Sequence, residues 1–304
     1  MDNSHQHIIK PLAYFDIFHY PLSKEELQSY SGLSPVALDS ALLALVQQQQ
    51  VFDLAGFYAL QNNLQLAHDR RKANALAAER MKVAAKAAAI IARFPYVQAV
   101  AVSGSLSKNF ADAKTDIDFF VITTANRLWL ARTFLHLLKK ISFVTGSQHL
   151  FCMNYFVDTA AMEIVEKNIF TATEIVTLIP MYGPDILQQF MQANQWTQHH
   201  FPKQINITAM AKPAKKGWLT RLVQNCLNGQ WGNRLDDRLL RITQKRWQKK
   251  ADRNQLNSRG IKMGMVADKH FSKPDPANFQ QKVVRQFEER MLSLTQVGIN
   301  SEHP

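Results

Sequence analysis

The chain has 304 residues, 46% of them hydrophobic and 20% charged, with a formal net charge of +12 and two cysteines. That composition suits two globular domains, or one elaborated one, with ample core, and it excludes a disordered, fibrous or disulfide-stapled chain. The opening M-D-N-S-H-Q-H has neither a basic nor an apolar leader region, and the longest apolar stretch, Ala84 to Ala92 with Lys86 inside, is too short to span a bilayer, so no transmembrane segment and a cytoplasmic location are expected.

Residues from about Ile8 to Gln61 have the pattern of a winged helix. I-I-K-P-L-A-Y-F-D-I-F forms a first helix with Pro11 in its first turn. Ser23 caps a second helix, with Glu26 three residues later completing a capping box. Ser34 and Pro35 open a third helix after the Gly32 turn. V-F-D-L-A-G-F-Y-A-L then reads as a hairpin turning near Ala55-Gly56. DNA binding is the obvious expectation for such a unit, and the charges oppose it. Residues 1–66 hold two lysines and six acids, a net of −4, and the third helix has no Lys or Arg. Duplex binding depends on cations that neutralise phosphates, so protein contact or packing is the expected role.

Leu64 to Phe94 is Ala-rich, with Leu76, Met81, Ala84, Ala88 and Ile91 tracing an apolar stripe at helical spacing. It reads as a connecting helix that opens with a solvated charged face, His68 to Lys72. Next comes V-S-G-S-L-S-K-N-F-A-D-A-K-T-D-I-D-F-F-V-I-T, Val102 to Thr123. The V-Q-A-V-A-V before it and the F-F-V-I within it are short, β-branched or aromatic runs, expected as buried strands. Alternation along a strand puts Asp116 and Asp118 on one face and Ile117, Phe119 and Val121 on the other. Two adjacent carboxylates repel unless a cation lies between them, and Mg²⁺ is the natural partner for such oxygen ligands. Glycine at 104 allows a sharp turn and close approach to a ligand.

Further on, Asn126 or Thr124 is placed to cap the helix N-R-L-W-L-A-R-T-F-L-H-L-L-K-K, which Gly146 closes. H-L-F-C-M-N-Y-F-V-D reads as a strand ending at Asp158, and E-I-V-T-L-I-P-M-Y-G as a helix capped by Thr171 or Thr173. The positive charge is concentrated late: Lys203 to Lys262 holds 15 Lys/Arg against 3 Asp/Glu, and the rest of the chain sums to zero. Leu235, Leu239 and Ile242 form a stripe there among Arg238, Arg241, Lys245 and Lys249, an amphipathic basic helix open to a nucleic acid, an anionic substrate or an acidic membrane, or simply packed on the core. Pro274 and Pro276 punctuate the tail before a final helix, Phe279 to Leu294.

Gly104-Ser105, a ten-residue gap and Asp116-Ile117-Asp118 entering an apolar strand together resemble the signature of the DNA polymerase β-like nucleotidyltransferase superfamily. The resemblance covers about Tyr96 to Phe201. It implies an α+β fold: a small mixed sheet flanked by helices, here with an N-terminal winged helix (1–62), a connecting helix (63–95), the nucleotidyltransferase core (96–202) and a basic helical C-terminal region (203–304). It implies transfer of a nucleoside monophosphate from an NTP, ATP above all, to an acceptor hydroxyl that the sequence does not identify. Asp116 and Asp118 would bind two Mg²⁺ ions, while Gly104, Ser105 and Lys108 would hold the triphosphate. A third carboxylate is expected from the following strand: Asp158 is the candidate, with Asn154, Glu163 and Glu166 as rivals. A regulator that binds NTP without turnover, or a DNA-binding regulator, remains the alternative.

Overall fold

The computed structural model describes residues 3–113, 116–142, 150–202, 216–252, 263–276 and 279–300. Among the described residues it is a mixed α/β protein with one three-stranded and one six-stranded sheet. Helix α1 (Asn3–Asp16) leads to β1 (Leu22–Ser23), α2 (Lys24–Ser31), α3 (Pro35–Gln47), β2 (Phe52–Asp53) and β3 (Phe57–Ala59), and the three strands pair in the order β1-β3-β2. The expected capping box is present. Ser23 Oγ accepts from the Glu26 N–H at 3.3 Å, and Glu26 Oε2 accepts from the Ser23 N–H at 2.9 Å. Gly32 closes α2 in the left-handed region, and Ser34 caps α3 with Pro35 in its first turn. Ala55 and Gly56 turn the β2–β3 hairpin, both at positive φ.

Helix α4 (Leu64–Ile91) joins this unit to the large sheet. Its charged beginning is not a fully solvated face, because Arg70 is buried. The Arg70 guanidinium donates to Pro21 O at 2.8 Å and to Glu26 Oε1 at 2.7 Å, and lies over the Tyr20 ring at 3.6 Å. This pairing satisfies the buried cation and fixes α4 to the start of α2.

Then follow β4 (Val97–Ser103), the short α5 (Gly104–Ser107), β5 (Asp118–Thr123), α6 (Leu128–Ser142), β6 (Cys152–Asp158), α7 (Ile169–Val176), β7 (Ile179–Tyr182) and α8 (Pro184–Ala193). The chain ends with α9 (Trp218–Leu227), α10 (Gln230–Asp252), β8 (Met263–Ala267), β9 (Phe271–Pro276) and α11 (Phe279–Asn300). The large sheet runs β7-β4-β5-β6-β9-β8, with β5 and β6 parallel and the other pairs antiparallel. Alternation along β4 and β5 divides the core. Val100, Val102, Phe119 and Val121 pack with Ala84, Ala88, Leu128 and Trp129 of α4 and α6. Ala99, Ala101, Phe120 and Ile122 face Ile175, Leu187 and Phe190 of α7 and α8.

Three expectations about elements are corrected. The run E-I-V-T-L-I-P-M-Y-G is split: α7 is capped by Asn168, whose Oδ1 accepts from the Thr171 N–H at 3.0 Å, and Ile179–Tyr182 forms an edge strand on β4. Pro180 is tolerated because that strand has a neighbour on one side only. The side-chain acceptor at the start of α6 is neither Asn126 nor Thr124 but a carboxylate from another helix. Asp236 of α10 supplies it, accepting from the Leu130 N–H at 2.8 Å. Gly146 lies outside the described residues. The C-terminal region is not wholly helical, since β8 and β9 extend the sheet past β6. β6 pairs with β9 only at Phe271 and Ser272, so Pro274 and Pro276 lie beyond the paired stretch, where a missing N–H costs no bond to β6.

Truncating Arg70 leaves Glu26 and Pro21 O without their cation beneath Tyr20. Arg70→Ala should lower the unfolding free energy by about 3–5 kcal/mol, read as a shift in the urea midpoint at unchanged slope.

Candidate functional site

The site forms where β4 ends and β5 begins. In the antiparallel register Ser103 lies opposite Asp118, which places the Gly104 turn against the aspartate. Gly104 has φ +67, and a Cβ there would stand 2.6 Å from Asp118 Oδ2. Both the backbone conformation and the carboxylate therefore require glycine. Ile117 packs in the core layer with Phe119 and Val121, as alternation demands, which sends Asp118 to the opposite side. β5 starts only at Asp118, so Asp116 precedes the strand, near enough for its charge to act on its neighbour.

Burial drives the Asp118 carboxyl up to about 7; the Cys152 thiol hydrogen bond opposes this most, the charges of Asp116 and Glu174 add to it, and the Lys108 charge subtracts. Asn154, on the parallel neighbour β6, donates through Nδ2 to Asp118 Oδ1. Cys152 Sγ in turn donates to Asn154 Oδ1 at 3.1 Å, which orients the amide. Lys108, just past α5, donates through Nζ to Gly104 O at 3.0 Å and pairs with Glu174 of α7 at 2.7 Å. The Tyr20 hydroxyl donates to Lys108 O, so the N-terminal unit reaches the same turn.

These groups open into a cavity of about 730 Å³. Ser103, Gly104, Ser105, Lys108, Asp118 and Asn154 form its polar end. Tyr14 of α1, Phe18 of the turn after it, Phe120 of β5, Phe170 of α7 and Phe279 of α11 supply much of the rest. A second ion pair, Glu166 with Lys273 of β9, also borders it. The volume lies within the usual range for small-molecule sites, and the mix of an apolar wall with a few convergent polar groups is typical of them.

Of the residues expected from sequence, Gly104, Ser105, Lys108 and Asp118 come together around this cavity, with Asp116 adjacent. Asp158 does not. It pairs across the sheet with Thr123, at the far end of β5 from Asp118, whose own partner is Cys152. Six residue steps along the strand separate Cys152 from Asp158, roughly 20 Å at ~3.3 Å per step. There Asp158 is fully buried, accepts from the Asn126 and Ala160 N–H groups at 2.8 and 2.9 Å, and meets His270 Nδ1 at 3.0 Å. It ties β6 to the next loop and to β9. The place beside Asp118 on β6 belongs to Asn154. Glu163 pairs with Lys167 at 2.6 Å on the surface, and Glu166 is engaged by Lys273.

Glu174 was not singled out from sequence. It stands in an apolar helical run with no motif, and only the approach of α7 to α5 gives it a partner. Among the described residues no group of three or more His, Cys, Asp or Glu is gathered as for a metal ion. Comparison of the chain with protein-family models, curated proteins and solved structures found no match.

A buried carboxyl with a raised pKa makes a testable demand. The unfolded chain holds Asp118 near its ordinary 3.8, so the folded state binds the proton more tightly and loses stability as pH rises from about 4 to 7. Without added divalent cation, Asp118→Asn should flatten that slope and stabilise the protein at pH 8 by an amount on the order of a few kcal/mol, with little effect at pH 4. Thermal unfolding across that pH range is the measurement; a parallel pair of curves would contradict it. Gly104→Ala should destabilise at every pH in the same scans, by about 1–3 kcal/mol, through its positive φ and the close carboxylate.

Proposed function

We propose that the protein is a nucleotidyltransferase that takes an NTP in this cavity and passes the nucleoside monophosphate to an acceptor hydroxyl, releasing pyrophosphate. The observation that carries the reading is the seating of the left-handed Gly104 turn against Asp118 at the mouth of an aromatic-walled cavity. This is the geometry that the Gly-Ser and Asp-x-Asp elements require if they act on one ligand.

The residues present fit a single hard divalent cation. Asp116 and Asp118 are carboxylates, burial raises the pKa of Asp118, and Asn154, whose amide donates to Asp118, would present its oxygen to the ion by turning that amide over. Asp116 and Asp118 would hold Mg²⁺, with Asn154 in support. The ion supplies charge neutralisation on the triphosphate and its leaving group. Two ions were expected from the resemblance; β6 places Asn154 and not a third carboxylate beside Asp118, so a second ion would have fewer ligands from that strand. The Ser105 hydroxyl and the backbone N–H groups after Gly104 donate to phosphate oxygens. Lys108 would become a countercharge to the triphosphate by exchanging Glu174 for a phosphate oxygen. The aromatic wall excludes water and takes the base or the acceptor by stacking. Catalysis on this account is positioning and charge stabilisation.

A second reading, an NTP-binding regulator without turnover, is favoured by one feature. Asn154 cannot deprotonate an acceptor, and Asp158 is too distant to do so.

The order α1-β1-α2-α3-β2-β3 with its three-stranded sheet supports a winged-helix reading of the N-terminal unit. Its net negative charge and the absence of Lys and Arg from α3 favour packing and protein contact over DNA. Tyr14, Phe15, Phe18 and Tyr20 of this unit line the cavity, so it also helps to build the site. Among the described residues no single helix is long and apolar enough to cross a membrane.

Isothermal titration with ATP and Mg²⁺ should show binding that the double variant Asp116→Asn, Asp118→Asn loses while remaining folded. Pyrophosphate release in the presence of candidate acceptors separates the two readings: an enzyme releases it, a regulator binds ATP and does not. Unchanged affinity in the double variant defeats both.

A further inference from the structure

We propose that the outer surface of α9 and α10 docks on an anionic lipid bilayer. The inward side of α9 is settled by its contacts. Thr220 Oγ1 donates to Arg93 O at 2.9 Å, Gln224 O accepts from the Tyr96 hydroxyl at 3.3 Å, and Leu227 packs by Tyr96 and Leu130. Trp218, Leu219 and Leu222 therefore point outward, 71%, 59% and 52% exposed. On α10, Asp236, Leu239 and Trp247 face the body. Trp231 is left 78% exposed, with Leu235 and Ile242 following it at helical spacing, each more than a third exposed. Two tryptophans this open beside four aliphatic side chains are unusual for a free surface.

The charges around this stripe are positive but for Asp252, exposed at the very end of α10. Arg221, Arg234, Arg238, Arg241, Lys245 and Lys249 are exposed. No acid occurs between residues 216 and 235. Asp236 is turned inward onto Leu130, and Asp237 pairs with Lys269 at 3.6 Å. Lys216 does not contribute, since its Nζ is half-buried on Val97 O at 3.0 Å. Lys203, Lys212, Lys215, Arg253, Arg259 and Lys262 of the basic segment lie outside the described residues and are not needed here.

A nucleic acid would satisfy the cations and leave the Leu and Ile side chains uncovered. The boundary of an anionic bilayer satisfies both, because Trp and Leu enter the headgroup–acyl region while Arg and Lys meet lipid phosphates. This surface stands apart from the cavity and does not depend on the nucleotidyltransferase reading.

The test is flotation of the full-length protein with vesicles of phosphatidylcholine alone and of phosphatidylcholine with roughly one-third phosphatidylserine. The protein should float only with the anionic vesicles, and less so as salt rises. Two variants separate the contributions: Trp218→Ser with Trp231→Ser, and Arg234→Gln with Arg238→Gln, Arg241→Gln and Lys245→Gln. Each should reduce partitioning by about tenfold or more while keeping the wild-type Tm. Failure to float, or equal flotation with neutral vesicles, overturns the proposal. So does a fall in Tm for the tryptophan variant, which would show that the chain covers this face itself. Salt-sensitive binding of single-stranded DNA with indifference to vesicles would assign the surface to nucleic acid instead.

Discussion

The structure depends on a carboxylate packed against a glycine. Asp118 occupies the space that a side chain at 104 would need, and that contact fixes the register of β4 on β5 at the point where both strands leave the sheet. A buried acid so placed has three ways to persist: it takes a proton, accepts a hydrogen bond, or binds a cation. The first two operate in the protein by itself, through a raised pKa and the Asn154 amide. The third is what the proposed reaction would use. The buried acid is thus a local destabilisation that the surrounding sheet sustains.

Around that point the polar groups are paired. Lys108 is held by Glu174 and Gly104 O, Glu166 by Lys273, and Arg70 by Glu26. Each pair joins elements distant in sequence: α5 with α7, the β6–α7 connection with β9, α2 with α4. Pairs of this kind cost desolvation and return it only with good geometry, so they serve placement more than net stability. The walls of the cavity come from α1, β5, α7 and α11, so it is built by both ends of the chain and the sheet between them.

The N-terminal unit is joined to the sheet through buried contacts. Arg70 beneath Tyr20, and the Tyr20 hydroxyl on Lys108 O, connect the capping turn of α2 to α4 and to the site turn. Val283 and Phe287 of α11 pack with Tyr14 and Phe15 of α1. A movement of either helix would reshape the aromatic wall, which gives any partner of the N-terminal unit a physical route to the site.

Local chemistry was legible in the sequence by itself. The Ser23–Glu26 capping box, the Gly32 and Ala55-Gly56 turns and the Ser34-Pro35 helix start rest on interactions within four residues, and these were readable because no distant group competes for them. The strand pair around Gly104 and Asp118, and the alternation that separates Asp118 from Ile117, were readable for the same reason. Tertiary structure alone decided which residue of β6 stands beside Asp118, because a parallel neighbour's register is set by the crossover through α6 and not by any local signal; it selected Asn154 and sent Asp158 to the other end. It also decided that Asp236 begins α6, that Arg70 is buried, that Glu174 meets Lys108 and that two proline-bearing strands extend the sheet. Each of these is a partnership between residues far apart in the chain, and a sequence pattern carries no record of which distant group will arrive.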